Sequence, residues 1–390
     1  MKQHRVLFVI SLACGVLLPV GGCKPDLPSD TWIRTYGGAS DDNGWGLDLA
    51  GDGGYIIAGF TRFYGDTDGG DVYLVKTDSS GDTVWTRTFG DWGQDFGWSV
   101  LQIPYGYIIA CHGGAPVNNC YIKTDAEGNV VWNRTLGVGV ECYSIRQTAD
   151  GGYILAGSSW SDESNSGNVC LVKVDPWGTI AWTRTFGGLG TDCGSSVGQT
   201  TDGGYVIAGY TTSYGAGGSD IYLIRTNSSG DTVWTRTFGG ASDDNGWGLD
   251  LAGDGGCIIV GQSKSYGAGN GDVYLVKTDS SGVTEWTEAL GGSDPDWGSS
   301  VQQTADGGYV IAGWTSSFGT GGEDVYLAKV GALGDTIWTR TFGGDSGDRG
   351  RAVHQTTDGG YIVAGSTYSL GAGRADVYLI KTDAEGNAKP

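Results

Sequence analysis

The apolar residues of this chain fall in short runs that recur in a fixed order, with polar turns between them. The clearest example spans 71–90, where the run Val72–Val75 is followed by a polar turn at Gly81 and a second run around Trp85. Both runs are short and rich in residues that favour strands. The pattern therefore predicts a β-hairpin, and variants of this hairpin occur along the whole molecule.

One tryptophan marks each copy of the repeat, and consecutive markers are 47 to 53 residues apart. A period of this size is typical of solenoids, propellers and other arrays. Each repeat contains four strand-like runs, separated by turns that include Asp-Gly-Gly and by a longer glycine-rich loop. In the last repeat these runs are 337–342, Arg351–Thr356, Gly359–Gly365 and Asp376–Thr382. The marker tryptophans are Trp32, Trp85, Trp132, Trp182, Trp234, Trp286 and Trp338.

Two runs of each repeat, of the types YIIAG and VYLVK, are apolar without strict alternation. A strand with this pattern has both faces of its sheet covered, as in a stack of four-stranded sheets. Radial stacking of such sheets gives a β-propeller. A parallel β-helix is the alternative, and it is less favoured because its coils are shorter and need no hairpin turns within a repeat.

The two ends of the chain supply complementary parts of one repeat. The chain opens with a tryptophan strand at 31–36, and it stops after the strand at 376–382, where a tryptophan strand is expected to follow. Pairing these two strands closes a ring and removes an exposed sheet edge. The sequence thus predicts an all-β, seven-bladed β-propeller over 31–390, with four antiparallel strands per blade and the N-terminal strand completing the last blade.

The spacing of Asp78, Gly81 and Trp85 resembles the repeat of pyrroloquinoline-quinone-type and outer-membrane-assembly propellers, in which a glycine lies four residues before a docking tryptophan. The DGGYxxAG segments are more similar still to those of uncharacterised seven-bladed propeller repeats of bacterial lipoproteins. The resemblance implies a propeller over nearly the whole mature chain. It does not imply quinone chemistry, because the sequence has no matching metal or quinone ligands.

Residues 1–22 have the features of an export signal. Lys2 and Arg5 precede an apolar stretch at 6–20 that is too short for a comfortable membrane span. The glycines Gly21 and Gly22 follow this stretch, as small residues do before a cleavage site. We therefore expect a lipoprotein signal peptide at 1–22.

Cys23 follows the small residues directly, and the order V-G-G-C resembles a bacterial lipobox. In a lipoprotein this thiol is acylated, so Cys23 is the expected lipid attachment site and 23–30 a proline-containing tether. Lys24, rather than an aspartate, follows Cys23, which favours the outer membrane or the cell surface. Ordinary signal-peptide cleavage, with Cys23 incidental, is the alternative.

The chain carries 44 acidic and 23 basic residues, a formal net charge of −21. This charge repels nucleic acid and anionic lipid headgroups, so we expect no nucleic-acid partner and a covalent membrane link. The expected partners are the membrane, through the lipid on Cys23, and a protein or carbohydrate that the sequence does not identify. The chain is expected to act as a monomer.

The eight cysteines form no CxxC pair and no Cys/His cluster with zinc spacing. An exported protein is free to form disulfides. Cys142 and Cys193 fall near the same point of consecutive repeats, so they are the one candidate disulfide pair.

The loops that lead into the innermost strands are acidic, and they lie on one face of a propeller whose outer strands carry the marker tryptophans. Tryptophans lie beside these loops, so Asp and Trp side chains that meet near a central opening form a candidate site for Ca²⁺, a sugar or a cationic partner. The alternative for any single residue is a solvated turn aspartate or a tryptophan packed between blades. The candidates are Asp41, Asp42, Trp45, Asp95, Trp98, Asp192, Asp243, Asp244, Trp247, Asp294, Asp296, Trp297 and Asp348.

No catalytic set is evident, so no catalytic residue is assigned. The segment 194–198 matches GxSxG, but its sister segment 298–302 occupies the same repeat position, which predicts a strand rather than a nucleophile elbow. The irregular second blade, with Pro104-Tyr105-Gly106 in place of Asp-Gly-Gly, gathers no acid and base residues. The favoured function is a non-enzymatic, lipid-anchored binding or scaffold propeller that uses the acidic face. A surface hydrolase or carbohydrate-binding propeller is the alternative.

Overall fold

The computed structural model describes residues 31–62, 69–90, 93–113, 120–137, 139–161 and 166–389. The predicted signal peptide, the tether and Cys23 lie outside the described residues. Within the described ranges the chain forms 28 strands and no helix. Accordingly, no membrane-spanning helix occurs in this part of the chain.

The strands form seven antiparallel sheets of four strands, and each sheet is one blade of a β-propeller. In six of the blades the chain passes outward through all four strands, from the inner strand at the central channel to the outer strand at the rim, whereas the outer strand of the last blade comes from the start of the domain. The inner strands are β2 (Asp42–Leu49), β6 (Asp95–Ile103), β10 (Val140–Gln147), β14 (Asp192–Gln199), β18 (Asp244–Leu251), β22 (Asp296–Gln303) and β26 (Asp348–Gln355). The second strands are β3 (Tyr55–Thr61), β7 (Gly106–Gly113), β11 (Tyr153–Ser161), β15 (Tyr205–Thr211), β19 (Cys257–Ser263), β23 (Tyr309–Thr315) and β27 (Tyr361–Thr367).

The outer half of each blade contains the VYLVK-type strand and the tryptophan strand. The third strands are β4 (Asp71–Thr77), β8 (Cys120–Thr124), β12 (Ser166–Val174), β16 (Asp220–Thr226), β20 (Asp272–Thr278), β24 (Asp324–Val330) and β28 (Asp376–Thr382). The outer strands are β5 (Thr83–Phe89), β9 (Val130–Thr135), β13 (Ile180–Phe186), β17 (Thr232–Phe238), β21 (Thr284–Leu290), β25 (Thr336–Phe342) and β1 (Trp32–Tyr36).

The ring is closed by the N-terminal strand, as the sequence predicts. Strand β1 pairs antiparallel with β28, so that Trp32 lies opposite Lys381 and Tyr36 lies opposite Val377. The last blade is therefore built from both ends of the propeller domain, in the order β1-β28-β27-β26. The all-β, seven-bladed fold and its mode of closure are confirmed.

The hydrophobic core consists of seven clusters, each packed between two adjacent blades. The cluster at the closure joins Ile57 and Val75 of the first blade to Ile362 and Leu379 of the last. Strands such as β3 and β4 are buried along their whole length. This burial on both faces is the reason why their sequences are apolar without alternation.

Each marker tryptophan packs on a glycine of the next blade. Gly81, in the turn between β4 and β5, has a φ of 80° and lies under the ring of Trp32. A Cβ at Gly81 would lie 2.7 Å from this ring, so the turn needs glycine for its conformation and for the close approach. The same contact links Trp85 to Gly128 and, at the end of the ring, Trp338 to Gly386.

Two details differ from the sequence-based expectations. Strand β26 begins at Asp348, three residues before the predicted run at Arg351. The proposed disulfide between Cys142 and Cys193 is wrong, because both residues are buried thiols. In the pairing register Cys142 corresponds to Gly194, so the two cysteines are one residue out of step and point to opposite faces of their strands.

Candidate functional site

Every inner strand carries a β-bulge at the same position. In β2 the register shifts between Gly44 and Gly46, so Trp45 has no partner residue on β3. A bulge re-aims a side chain, and here the extra residue of each strand lines the central channel. We call these seven residues the bulge ring: Trp45, Trp98, Tyr143, Ser195, Trp247, Ser299 and Arg351.

The bulge ring surrounds a cavity of about 670 Å³ in the central channel. This volume lies in the range of small-molecule sites, which are about 300–1,000 Å³. The ring combines four aromatic side chains, two serines and one arginine. The seven blades are nearly equivalent in backbone, but they differ in the chemistry that they present to the cavity.

Aromatic contacts form two arcs around the cavity wall. In the first arc, the rings of Trp45 and Trp98 stack with centroids 4.8 Å apart, and Tyr143 meets Trp98 edge-on at 5.5 Å. In the second arc, Trp297 stacks between Trp247, at 5.2 Å, and Trp314, at 5.9 Å. These contacts fix the ring planes, so the aromatic wall is preorganised.

Five members of the bulge ring have a buried polar atom without a hydrogen-bond partner in the structure. These atoms are Trp98 Nε1, Ser195 Oγ, Trp247 Nε1, Ser299 Oγ and Arg351 Nε. Leaving a buried polar group unpaired costs about 1–3 kcal/mol, and most buried polar groups are paired. Five such atoms therefore lie in the wall of one cavity.

A second set of residues lines the channel three positions further along the inner strands, and it ties the blades together. Asp48 accepts a hydrogen bond from the Gln102 backbone amide at 2.7 Å, and Asp250 accepts one from the Gln303 amide at 2.8 Å. Burial raises the pKa of Asp250. These carboxylates therefore stabilise the contact between neighbouring blades.

His354, in the same set, has both ring nitrogens engaged by protein groups. Nε2 donates to the Leu47 carbonyl oxygen at 3.0 Å, and Nδ1 accepts from Gln302 Nε2 at 3.3 Å. Burial lowers the pKa of His354, which favours this neutral form. The imidazole thus links the last blade to the first and has no nitrogen directed at the cavity for proton transfer.

Six of the predicted aspartates are the first residues of inner strands, and their side chains hold the preceding loops. Asp244, for example, accepts hydrogen bonds from the Gly240 amide and the Ser265 hydroxyl, both at 2.7 Å. Burial raises the pKa of the equivalent Asp42, and the nearby carboxylate of Asp376 raises it further. This buried set comprises Asp42, Asp95, Asp192, Asp244, Asp296 and Asp348.

The three other predicted aspartates lie in the loops themselves. Asp41 pairs with Arg62 at 3.2 Å, Asp243 pairs with Lys264 at 3.0 Å, and Asp294 is exposed. None of the nine aspartates lines the cavity. Among the described residues, no three His, Cys, Asp or Glu side chains form a group that could hold a metal ion.

The structure therefore brings together the four predicted tryptophans, Trp45, Trp98, Trp247 and Trp297, and separates them from the predicted aspartates. The prediction from sequence missed Tyr143, Ser195, Ser299 and Arg351. The signal for them was present, because they follow the first residue of each inner strand by three positions. The residue type at that position varies between repeats, whereas the residues directly before and after it are nearly constant.

Structural comparison identifies other propellers as similar folds. The chain resembles the Pan2 WD40 domain of Neurospora crassa with a TM-score of 0.55 and 11% identity, over 91% of this chain and 97% of that one. It resembles a streptogramin B lyase structure with a TM-score of 0.55 and 10% identity, over 90% and 97% of the two chains. At such low identity these similarities establish the fold alone.

Sequence comparison gives a weaker relation. The regulatory protein FlaEY of Caulobacter vibrioides is 24% identical over 175 residues, covering 38% of this chain and 18% of that protein. The matched segment is thus less than a fifth of the length of this curated relative. No protein-family model matches the chain.

Proposed function

We propose that this chain is a non-enzymatic binding module of the cell envelope, anchored by a lipid on Cys23, and that its ligand binds in the central cavity. The bulge ring is the observation that carries the proposal. One bulge per blade directs a side chain to the same cavity, and five of these side chains have an unpaired buried polar atom. The lipobox-like sequence and the DGGYxxAG repeats support placement among bacterial propeller lipoproteins.

The same geometry argues for binding rather than hydrolysis. A hydrolase needs a nucleophile or an acid and base pair whose reactive atoms reach the substrate. His354 is held by Gln302 and Leu47, while Asp48 and Asp250 accept hydrogen bonds from backbone amides. In this arrangement the channel residues stabilise the ring, and the bulge ring is left to contact a ligand.

The variant Ser299→Trp tests the cavity as the binding site. Three sister blades carry tryptophan at this position, so we expect the fold to accept the ring while the cavity is partly filled. A panel of sugars, amino acids and nucleosides is screened against the full chain in detergent by ligand-observed NMR. We expect at least one compound to bind, and Ser299→Trp to weaken its binding by about tenfold or more.

Val233→Trp is the matched control, because Val233 is exposed on the outer strand β17. This variant adds the same ring at the rim and should bind as the unmodified chain does. Equal binding by Ser299→Trp and the unmodified chain, or no binding by any compound of the panel, contradicts the cavity as the site.

Lipid anchoring is tested by labelling cells with radioactive palmitate. We expect the unmodified chain to be labelled and recovered with membranes, and Cys23→Ala to lose the label, because the alanine has no thiol to acylate. Cys257→Ala serves as a control, since Cys257 is buried in the propeller. Label retained by Cys23→Ala refutes the anchor.

A further inference from the structure

We infer that the ligand of the central cavity is an acidic saccharide, and that Arg351 binds its carboxylate. The inference rests on the proposed function, because it takes the cavity as the binding site. It follows from three properties of the bulge ring: one unmatched positive charge, an excess of hydrogen-bond donors and preorganised aromatic faces.

Arg351 is the one charged member of the bulge ring, and within the described ranges its guanidinium forms no ion pair. Its neighbour Arg349 pairs with Glu323 and lies over the ring of Trp314, 5.6 Å from the centroid. Burial, and the like charge of Arg349, lower the pKa of Arg351 to about 10, and the carboxylate of Glu323 opposes this shift only in part. A bound anion would oppose both effects, because it would add a negative charge next to the guanidinium.

Buried cations elsewhere in the propeller do have partners. Lys76 pairs with Asp52 at 2.8 Å, and Lys277 pairs with Asp254 at 2.7 Å. Arg351 is half-buried and, like the half-buried Arg146, which also lines the cavity, it forms no ion pair within the described residues. Two arginines of the cavity wall are thus without an ion pair, and a bound anion would supply one.

The unpaired atoms of the ring favour acceptors on the ligand. Trp98 Nε1, Trp247 Nε1 and Arg351 Nε are donors only, whereas Ser195 and Ser299 can donate and accept. A cationic ligand would place its own hydrogen-bond donors against the N–H donors of the bulge ring. A carboxylate and several ring or hydroxyl oxygens would satisfy them once these buried side chains turn towards the cavity.

Asp48 and Asp250, the two carboxylates that line the cavity, form no ion pair with Arg351. Asp48 accepts from the amides of Leu49 and Gln102, and Asp250 accepts from those of Leu251 and Gln303. Both carboxylates are therefore held by backbone groups.

The aromatic arcs select for a ring-shaped ligand. The stacked pair Trp45 and Trp98 and the stacked pair Trp247 and Trp297 line the cavity with aromatic rings beside the donors. The apolar face of a sugar ring packs on such a surface while its oxygens reach polar groups at the edge. An acidic saccharide combines this face with the acceptors and the charge that the ring requires.

The test is calorimetric titration of the full chain in detergent with glucuronate, galacturonate and N-acetylneuraminate, and with glucose, galactose and N-acetylglucosamine as neutral counterparts. At least one acidic sugar should bind about tenfold or more tightly than its neutral counterpart. Arg351→Gln should weaken that binding by about 10- to 100-fold, as expected for loss of a charged hydrogen bond, and should change neutral-sugar binding by less than about threefold.

Arg134→Gln is the matched control, because Arg134 is exposed on the outer strand β9 and lies over Trp132. It should bind like the unmodified chain. The inference is overturned if only neutral sugars bind or if no acidic sugar binds. It is also overturned if the binding of an acidic sugar is unchanged in Arg351→Gln. Tight binding of benzoate or spermidine in place of an acidic sugar also overturns it.

These outcomes are separate from those for the cavity itself. A neutral sugar, benzoate or spermidine that is displaced by Ser299→Trp leaves the proposed binding site standing while the acidic-saccharide inference fails. A ligand that binds Ser299→Trp normally removes the cavity site and, with it, the inference about Arg351.

Discussion

Tyr105 shows how a single residue accounts for the irregularity of the second blade. It occupies the turn between β6 and β7 with a φ of 71°, in the left-handed region, and its side chain is 92% exposed. The equivalent residue of the first blade is Gly53, which adopts the same conformation with a φ of 86°. A non-glycine residue held there is strained by about 1–2 kcal/mol.

We predict that Tyr105→Gly stabilises the protein by about 1 kcal/mol, because it removes the strain and loses almost no buried contact. Urea denaturation followed by tryptophan fluorescence measures the change. Tyr105→Ala is the control, since it removes the aromatic ring but keeps the Cβ that causes the strain. An equal gain from alanine and glycine would show that the backbone conformation is not the cause.

The properties of single residues also explain why the sequence predicts the site only in part. The tryptophans were identified from sequence because a large aromatic residue beside an acidic loop is conspicuous. Ser195 and Ser299 are small, and Arg351 was assigned only to a strand. Their importance comes from convergence, since residues more than 50 positions apart in sequence line one cavity. A single sequence does not display that convergence until the register of the inner strands is known.

At the scale of the element, the inner strand is where prediction and structure diverge. The third and outer strands were predicted closely, because their apolar or tryptophan-containing runs are continuous. The inner strand of the last blade begins with an aspartate and contains a glycine, and both residue types are typical of turns. For this reason the sequence predicts a strand that begins at Arg351 instead of Asp348. The bulge interrupts the alternation of side chains, and a period of two residues therefore fails to detect this strand.

The true start of the inner strand also explains why the loops before it are acidic. Asp192 is buried and accepts hydrogen bonds from Gly188 at 2.9 Å and Ser213 at 2.7 Å. An aspartate in this position holds its loop against the end of the second strand. The repeated acidity of these loops is thus explained by the construction of the blade, and it does not by itself require a cation.

At the scale of the whole molecule, stability depends on the closure between the two ends of the domain. Deletion of 31–38 removes β1, exposes the edge of β28 and removes Trp32 from the glycine turn at Gly81. We predict a fall of many degrees in the melting temperature, measured by calorimetry, because the core between the first and last blades loses part of its cover.

A synthetic peptide with the sequence of 31–38 provides the control for this deletion. Added to the truncated chain, it should pair with β28 and raise the melting temperature again. An unchanged melting temperature after the deletion would contradict closure by β1.

The position of β1 also determines at which face the chain enters the propeller. Trp32 lies opposite Lys381, whose ammonium group pairs at 2.7 Å with Asp358 of an Asp-Gly-Gly turn. The chain therefore enters the propeller at the face of those turns. Cys23 lies nine residues before Trp32, a reach of at most about 30 Å. If Cys23 carries the proposed lipid, this reach would keep the Asp-Gly-Gly face near the bilayer, whereas the bulge ring lies near the start of each inner strand, towards the opposite face. In that orientation a ligand would approach from the aqueous side, which would suit the capture of soluble molecules rather than lipids.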